Sequence, residues 1–148
     1  MTSQEAEKRI NGKLEAVYKD ILWLEEAELK KSRFKDLSIK EMHTIDAIGL
    51  HAEPSSATVA RRLHVTAGTL TVAVKNLVRK GYVERRHEQG DGRVVNLALT
   101  RKGRLMYRAH AAYHQKMVAS FVTGFNDHEV GLIESALDNL LSFLATQR

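Results

Sequence analysis

The chain has 148 residues, 43% hydrophobic and 28% charged, which is the size of one globular domain able to bury a core without a metal or disulfide staple. Cysteine is absent, which excludes disulfides, thiolate metal sites, iron–sulfur clusters and thiol redox sensing, and no apolar run approaches the ~20 residues of a membrane span. The net charge of +5 is unevenly placed: residues 55–104 carry eleven Lys or Arg against three acids, the remainder twelve against fifteen, so one basic stretch is suited to a polyanion.

The first helix is expected from about Ser3 to Lys31. Ile10, Leu14, Val17, Ile21 and Leu24 form one apolar stripe at helical spacing. Tyr18, Leu22 and Leu29 widen it, and Trp23 and Ala27 lie toward the other side. A helix apolar over more than half its circumference needs both its own core and a second subunit. Ser38-Ile39-Lys40-Glu41 is a capping box, with Leu37 and Met42 as a hydrophobic staple. The helix it opens turns Met42, Ile45 and Ile48 inward and ends near Gly49. Pro54-Ser55 is a break and an N-cap for a short helix over 56–64 that buries Val59, Ala60 and Leu63. After a tight turn, Thr66 caps a helix reaching Lys80, with Leu70, Val74 and Leu77 inward and Gly81 closing it.

Residues 82–87 and 93–99 read as an antiparallel hairpin around a loop, 88–92, that contains two glycines. Thr100 caps a long helix to about Phe121, with Leu105, Ala109, Ala112 and Val118 on one face. Asn126-Asp127-His128-Glu129 is another capping box. It opens a last helix with a broad apolar face at Val130, Ile133, Leu137, Leu140, Leu141 and Leu144. The expected class is mainly α with a small β-hairpin.

Helix, short helix, tight turn, helix and hairpin form the order of a helix-turn-helix followed by a wing. The second helix of such a unit enters the major groove, about 12 Å wide. Its inward stripe leaves Thr66, Thr69, Thr71, Lys75 and Asn76 outward or at the leading end. Asn can read adenine, and Lys can reach guanine or phosphate. Arg93, beside Gly92 and Asp91, suits the minor groove, while Asp91 pairs with an Arg and shapes the tip. Arg101, Lys102 and Arg104 oppose a helix dipole at roughly 0.3–1 kcal/mol each, which a phosphate would compensate. Ser55 and Arg86 complete the expected DNA contacts.

One such unit reads few base pairs, so a homodimer on a pseudo-palindromic duplex is expected. Residues 1–36 and 105–148 would supply the dimerisation helices around a winged helix-turn-helix at 37–104, within one domain of 1–148. An N-terminus without a signal peptide's apolar core makes the cytoplasm the expected location. His110 and His114, four apart, could share a metal. With no intervening Glu, no obvious third ligand and no Cys, neither metal nor cofactor is expected. No nucleophile–base pair or phosphate-cradling loop marks an enzyme.

Val65-Thr66-Ala67-Gly68-Thr69-Leu70, through Leu77-Val78-Arg79-Lys80-Gly81-Tyr82-Val83-Glu84-Arg85, resembles the recognition helix of the MarR family of winged-helix transcription regulators. Asp91-Gly92-Arg93 followed by Leu99-Thr100-Arg101-Lys102-Gly103 is similar to that family's wing signature, and the likeness spans essentially the whole chain. A narrower likeness is to the fatty-acid biosynthesis repressors of low-GC Gram-positive bacteria. It rests on Ser32-Arg33-Phe34-Lys35-Asp36-Leu37-Ser38-Ile39-Lys40-Glu41-Met42-His43-Thr44-Ile45-Asp46, and on His110, His114 and Met117-Val118. Gly92 departs from it, since a second Arg is more usual there. The resemblance implies a repressor of membrane-lipid genes with long-chain acyl-acyl carrier protein as corepressor. Trp23, Phe34, Met42, His43, Ile45, Met106, His110 and His114 could line an acyl slot between the first, second and fifth helices, with core packing or dimer contact as the competing role of each. The alternative in the same fold is a regulator released from DNA by small aromatic or drug-like ligands.

Overall fold

A computed structural model describes residues 2–88 and 91–148, and for residues 88 and 91–93 the backbone alone. Among the described residues there are six helices and one two-stranded sheet, in the order α1 (Ser3–Lys31), α2 (Ile39–Ile48), α3 (Ser56–Leu63), α4 (Ala67–Lys80), β1 (Val83–Glu88), β2 (Asp91–Leu99), α5 (Arg101–Phe121) and α6 (Asp127–Thr146). The chain forms two compact units, residues 1–108 and 109–148, so the division falls inside α5. Among the described residues, no helix is long and apolar enough to cross a membrane.

The core of the first unit is made by inward stripes that the sequence spacing places on single helix faces. Met42, Ile45 and Ile48 of α2, Val59 and Ala60 of α3 and Leu70, Val74 and Leu77 of α4 are all buried, with Leu97 and Leu99 of β2 closing the cluster. Each helix starts where a side chain can accept its orphan amides. Ser38 Oγ accepts the Glu41 amide at 3.1 Å, and the Glu41 carboxylate accepts the Ser38 amide at 2.9 Å. Ser55 and Thr66 cap α3 and α4 in the same way, through Thr58 and Thr69.

The turn between α3 and α4 begins one residue earlier than expected, because His64 takes the left-handed conformation (φ 55°) and ends α3. β1 starts at Val83 rather than 82. Tyr82 is instead drawn wholly into the core, its amide donating to the Leu77 carbonyl at 2.9 Å as α4 ends at Gly81. β2 starts at Asp91 rather than 93, with Glu88 opposite it and a shift of register after His87. Gln89 and Gly90 of the expected loop lie outside the described residues. The hairpin is fastened to the helices by a bridge between Ser55 and Asn96 and by the Leu97 amide donating to the Pro54 carbonyl at 2.8 Å.

In the second unit, α6 is capped by Asn126 and Glu129 as the sequence predicts, yet none of its residues is buried. Leu132, Leu137, Leu141, Phe143 and Leu144 all stand exposed.

Candidate nucleic-acid interface

The leading end of α4 is a dense set of short hydroxyls. Thr66 Oγ1 accepts the Thr69 amide at 3.1 Å and donates to Thr69 Oγ1 at 2.9 Å. Thr69 thus accepts from the cap and retains its own proton to give outward. Thr71 donates to the Ala67 carbonyl at 2.8 Å, so its oxygen presents lone pairs. Along the exposed side, Lys75 has no ion-pair or hydrogen-bond partner among the described residues. Asn76 sits on the flank rather than the crest. It is half-buried, its Oδ1 accepts from Arg79 at 3.3 Å, and it borders a groove of about 730 Å³ between α2 and α4 that Leu63, Val65 and Val72 also line.

The exit from α4 is a junction of three elements. Gly81 (φ 88°) ends the helix, Thr100 Oγ1 donates to the Gly81 carbonyl at 2.6 Å, and the Thr100 amide donates to the Tyr82 carbonyl at 3.0 Å. Thr100 Oγ1 also accepts the Gly103 amide at 3.2 Å, capping α5. Gly103 lies against the Tyr82 carbonyl so closely that a Cβ would come within 2.2 Å of its oxygen. Only glycine fits there, which is the physical content of the Leu99-Thr100-Arg101-Lys102-Gly103 motif.

A polar cluster ties this junction to the α1–α2 connection. Tyr82 Oη donates to Asp36 Oδ1 at 2.7 Å, and Lys80 Nζ donates to the Asp36 carbonyl at 2.5 Å and to Glu41 Oε1 at 2.8 Å. Burial and the bond to Asp36 push the Tyr82 hydroxyl well above the ordinary tyrosine range. Burial by itself would raise the Glu41 carboxyl. Its bonds from Lys80 and the Ser38 amide, with the Lys80 charge, outweigh burial and hold it below the ordinary 4.5.

Several basic residues of the 55–104 stretch have internal partners. Lys102 lies over the Tyr82 ring, 4.4 Å from its centroid, and 3.9 Å from Asp36 Oδ2. Arg104 donates to the Leu99 carbonyl at 3.0 Å and Arg62 to the Ala47 carbonyl at 2.8 Å. Of the three bases in the first turn of α5, only Arg101 has no partner among the described residues. Arg86 is held by Glu53 and, at 3.4 Å, by Glu84. Ser55 spends its oxygen on the α3 cap. The side chains of Asp91 and Arg93 lie outside what the structure describes, although the backbone of residues 91–93 belongs to β2.

The residues gathered from sequence around an acyl slot are divided between the two units, each described by itself. Phe34, Met42, Ile45 and Met106 are buried together in the core cluster. Trp23 does not join them and stands 69% exposed on α1. His43 Nε2 lies 3.2 Å from Oε2 of Glu25, a carboxylate buried in α1 that the apolar stripe gave no reason to single out. His110 and His114 belong to the second unit, with their rings in edge contact at 4.3 Å. The pairings of Glu53, Asp36 and Tyr82 have no local pattern in the sequence, because their partners are 33–46 residues away in the chain. The one local sign was Tyr82 itself, an aromatic directly after a helix-ending glycine.

The sequence pattern of the MarR family matches residues 35–94, which run from the cluster at Asp36 to the start of β2. Over 95% of this chain and 99% of the other, the protein is 44% identical to Streptococcus pneumoniae FabT, solved in complex with DNA, and superposes with a TM-score of 0.87. The chain belongs to the MarR family. MarR proteins are DNA-binding transcription regulators and not enzymes, and the helix-turn-helix with its hairpin is their DNA-binding winged helix. A second relative is the transcriptional regulator PchR of Bacillus subtilis, 24% identical over 96% of this chain and 82% of its own length. The S. aureus MepR–DNA complex, 20% identical over 88% of this chain and 93% of its own, shares the MarR fold with a TM-score of 0.72.

Proposed function

We propose that this protein is a cytoplasmic, homodimeric, sequence-specific repressor of fatty-acid and membrane-lipid biosynthesis genes, whose grip on a pseudo-palindromic operator is enhanced by long-chain acyl-acyl carrier protein. The observation that carries the reading is the 44% identity to FabT over nearly the full length of both chains. In this reading α4 enters the major groove, with Thr66, Thr69, Thr71 and Lys75 at or near the bases and Asn76 at the flank. Arg93 enters the minor groove, with Asp91 and Gly92 shaping the tip. Arg101 meets the backbone, and Ser55 and Arg86 act by bracing α3 and the hairpin. The exposed apolar residues of α1 and α6 are the surfaces on which two copies join, placing two reading helices a turn of DNA apart.

An acyl chain entering the first unit would open the cluster of Phe34, Met42, Ile45 and Met106, where two flexible methionines make the packing deformable. The deciding experiment is a gel shift on promoters of fatty-acid synthesis genes, with long-chain acyl-acyl carrier protein or the unacylated carrier added. A shift tightened only by the acylated carrier is expected. Binding that ignores it and is abolished by aromatic acids would replace the lipid reading with that of a drug-responsive regulator.

A further inference from the structure

Two residues on the outward side of α4 are anomalous for a solvent-facing helix. Val72 is 62% exposed. Gly68, one turn earlier, is also exposed, and a Cβ built on it would find nothing within 4 Å. Gly68, Val72, Lys75 and Arg79 follow one another at 4, 3 and 4 residues, a stripe on the side opposite the buried Leu70, Val74 and Leu77.

Neither residue gains much from its place: Gly68 has no crowded neighbour, and Val72, at the rim of the groove between α2 and α4, stays largely exposed. A glycine within a helix weakens it relative to alanine, and Gly68 is helical, without left-handed backbone and without a crowded neighbour. A β-branched side chain is also a poor helix former, and Val72 gains little burial in return. What valine offers is a rigid apolar surface with one dominant rotamer, so little freedom is lost on contact. What glycine offers is room.

Resting on the reading of α4 as the major-groove helix, we propose that Val72 is a specificity-determining residue that reads the 5-methyl group of a thymine in each half-site. Gly68 keeps the space in which the helix can approach that base. In the major groove the thymine methyl is the one apolar feature of the base edges, and an apolar side chain recognises it by contact. Lys75, next along the stripe and without an internal partner, supplies the neighbouring phosphate or guanine contact. The hydroxyls of Thr69 and Thr71 flank the valine, so an apolar reader lies between polar ones.

The test uses the full chain. Duplexes bound by the wild type are selected from a randomised pool, and each thymine of the selected site is then replaced singly by uracil, which lacks the methyl but keeps the pairing edge. In the wild type, replacement at one thymine per half-site should weaken binding about fourfold, the factor that burying one methyl-sized group carries. Val72→Ala, which removes the contact from both half-sites, should lose about sixteenfold, the square of that factor, on the thymine duplex and be indifferent to uracil there, while responding like wild type elsewhere. Gly68→Ala should raise helix stability and yet lower affinity for the selected duplex. If wild type and Val72→Ala respond alike to uracil at every position, the assignment is overturned while operator binding stands. Full affinity in Gly68→Ala overturns the role of the glycine. If no sequence is enriched at all, the reading of the protein as a sequence-specific repressor falls, and this assignment with it.

Discussion

The reading head and the terminal helices have similar sequence patterns and opposite fates. In α2, α3 and α4 the apolar stripes are consumed within the first unit, and Val59, Leu77, Tyr82 and Leu97 are completely buried. In α1 and α6 equally regular stripes stay open. Over the whole 29 residues of α1 only Glu25 and Leu29 are buried, and in α6 nothing is. Periodicity shows that a helix has an apolar face, but not whether the partner of that face is the same chain. Exposed apolar area on this scale marks an interaction surface rather than stray surface residues.

The two regions should therefore fail in different ways when broken. The largest effect is expected at the junction within the head. Gly103→Ala drives a Cβ against the Tyr82 carbonyl, and because that oxygen is backbone it cannot swing aside. A loss of about 3 kcal/mol or more is expected in urea unfolding, at the upper end of overpacking costs. A small loss would show that the hairpin base and α5 can slide apart freely.

At the terminal helices a charge should leave the fold standing and undo the association. Leu141, 63% exposed, is the clearest site. Leu141→Glu should shift sedimentation toward the monomer by tenfold or more in dissociation constant, about 1.4–3 kcal/mol, with helix content by circular dichroism unchanged. A collapse of helix content would instead mean that α6 is a core helix of its own chain.

The smallest effect sharpens the comparison through pH. Glu41 has its carboxyl lowered in the folded protein, so its ionised form favours folding. That contribution is complete above the unfolded value of 4.5 and is lost as pH falls through 4.5 toward the lower folded value. Glu41→Gln should cost on the order of 1 kcal/mol at neutral pH, and the gap to wild type should close in acid. Denaturant titrations at pH 7 and pH 3.5 check this, and a gap that stays constant would remove Lys80 and Ser38 as the cause.

The sequence by itself determined the helices, their caps and their inward faces. These depend on residues at most four apart, as with Ser38 and Glu41 or Thr66 and Thr69. It also exposed the winged order and the basic stretch, because order and composition need no coordinates. Only the tertiary structure decided which of those bases are tied down. Arg86 answers to Glu53, 33 residues away, Lys80 to Glu41 at 39, and Tyr82 to Asp36 at 46. It likewise separated exposed Trp23 from the buried methionines, and set Asn76 beside a groove instead of on the crest of α4. Caps and stripes are short-range consequences of backbone geometry. The partner of a charge or an aromatic ring is chosen by whichever distant segment the packed core brings alongside it.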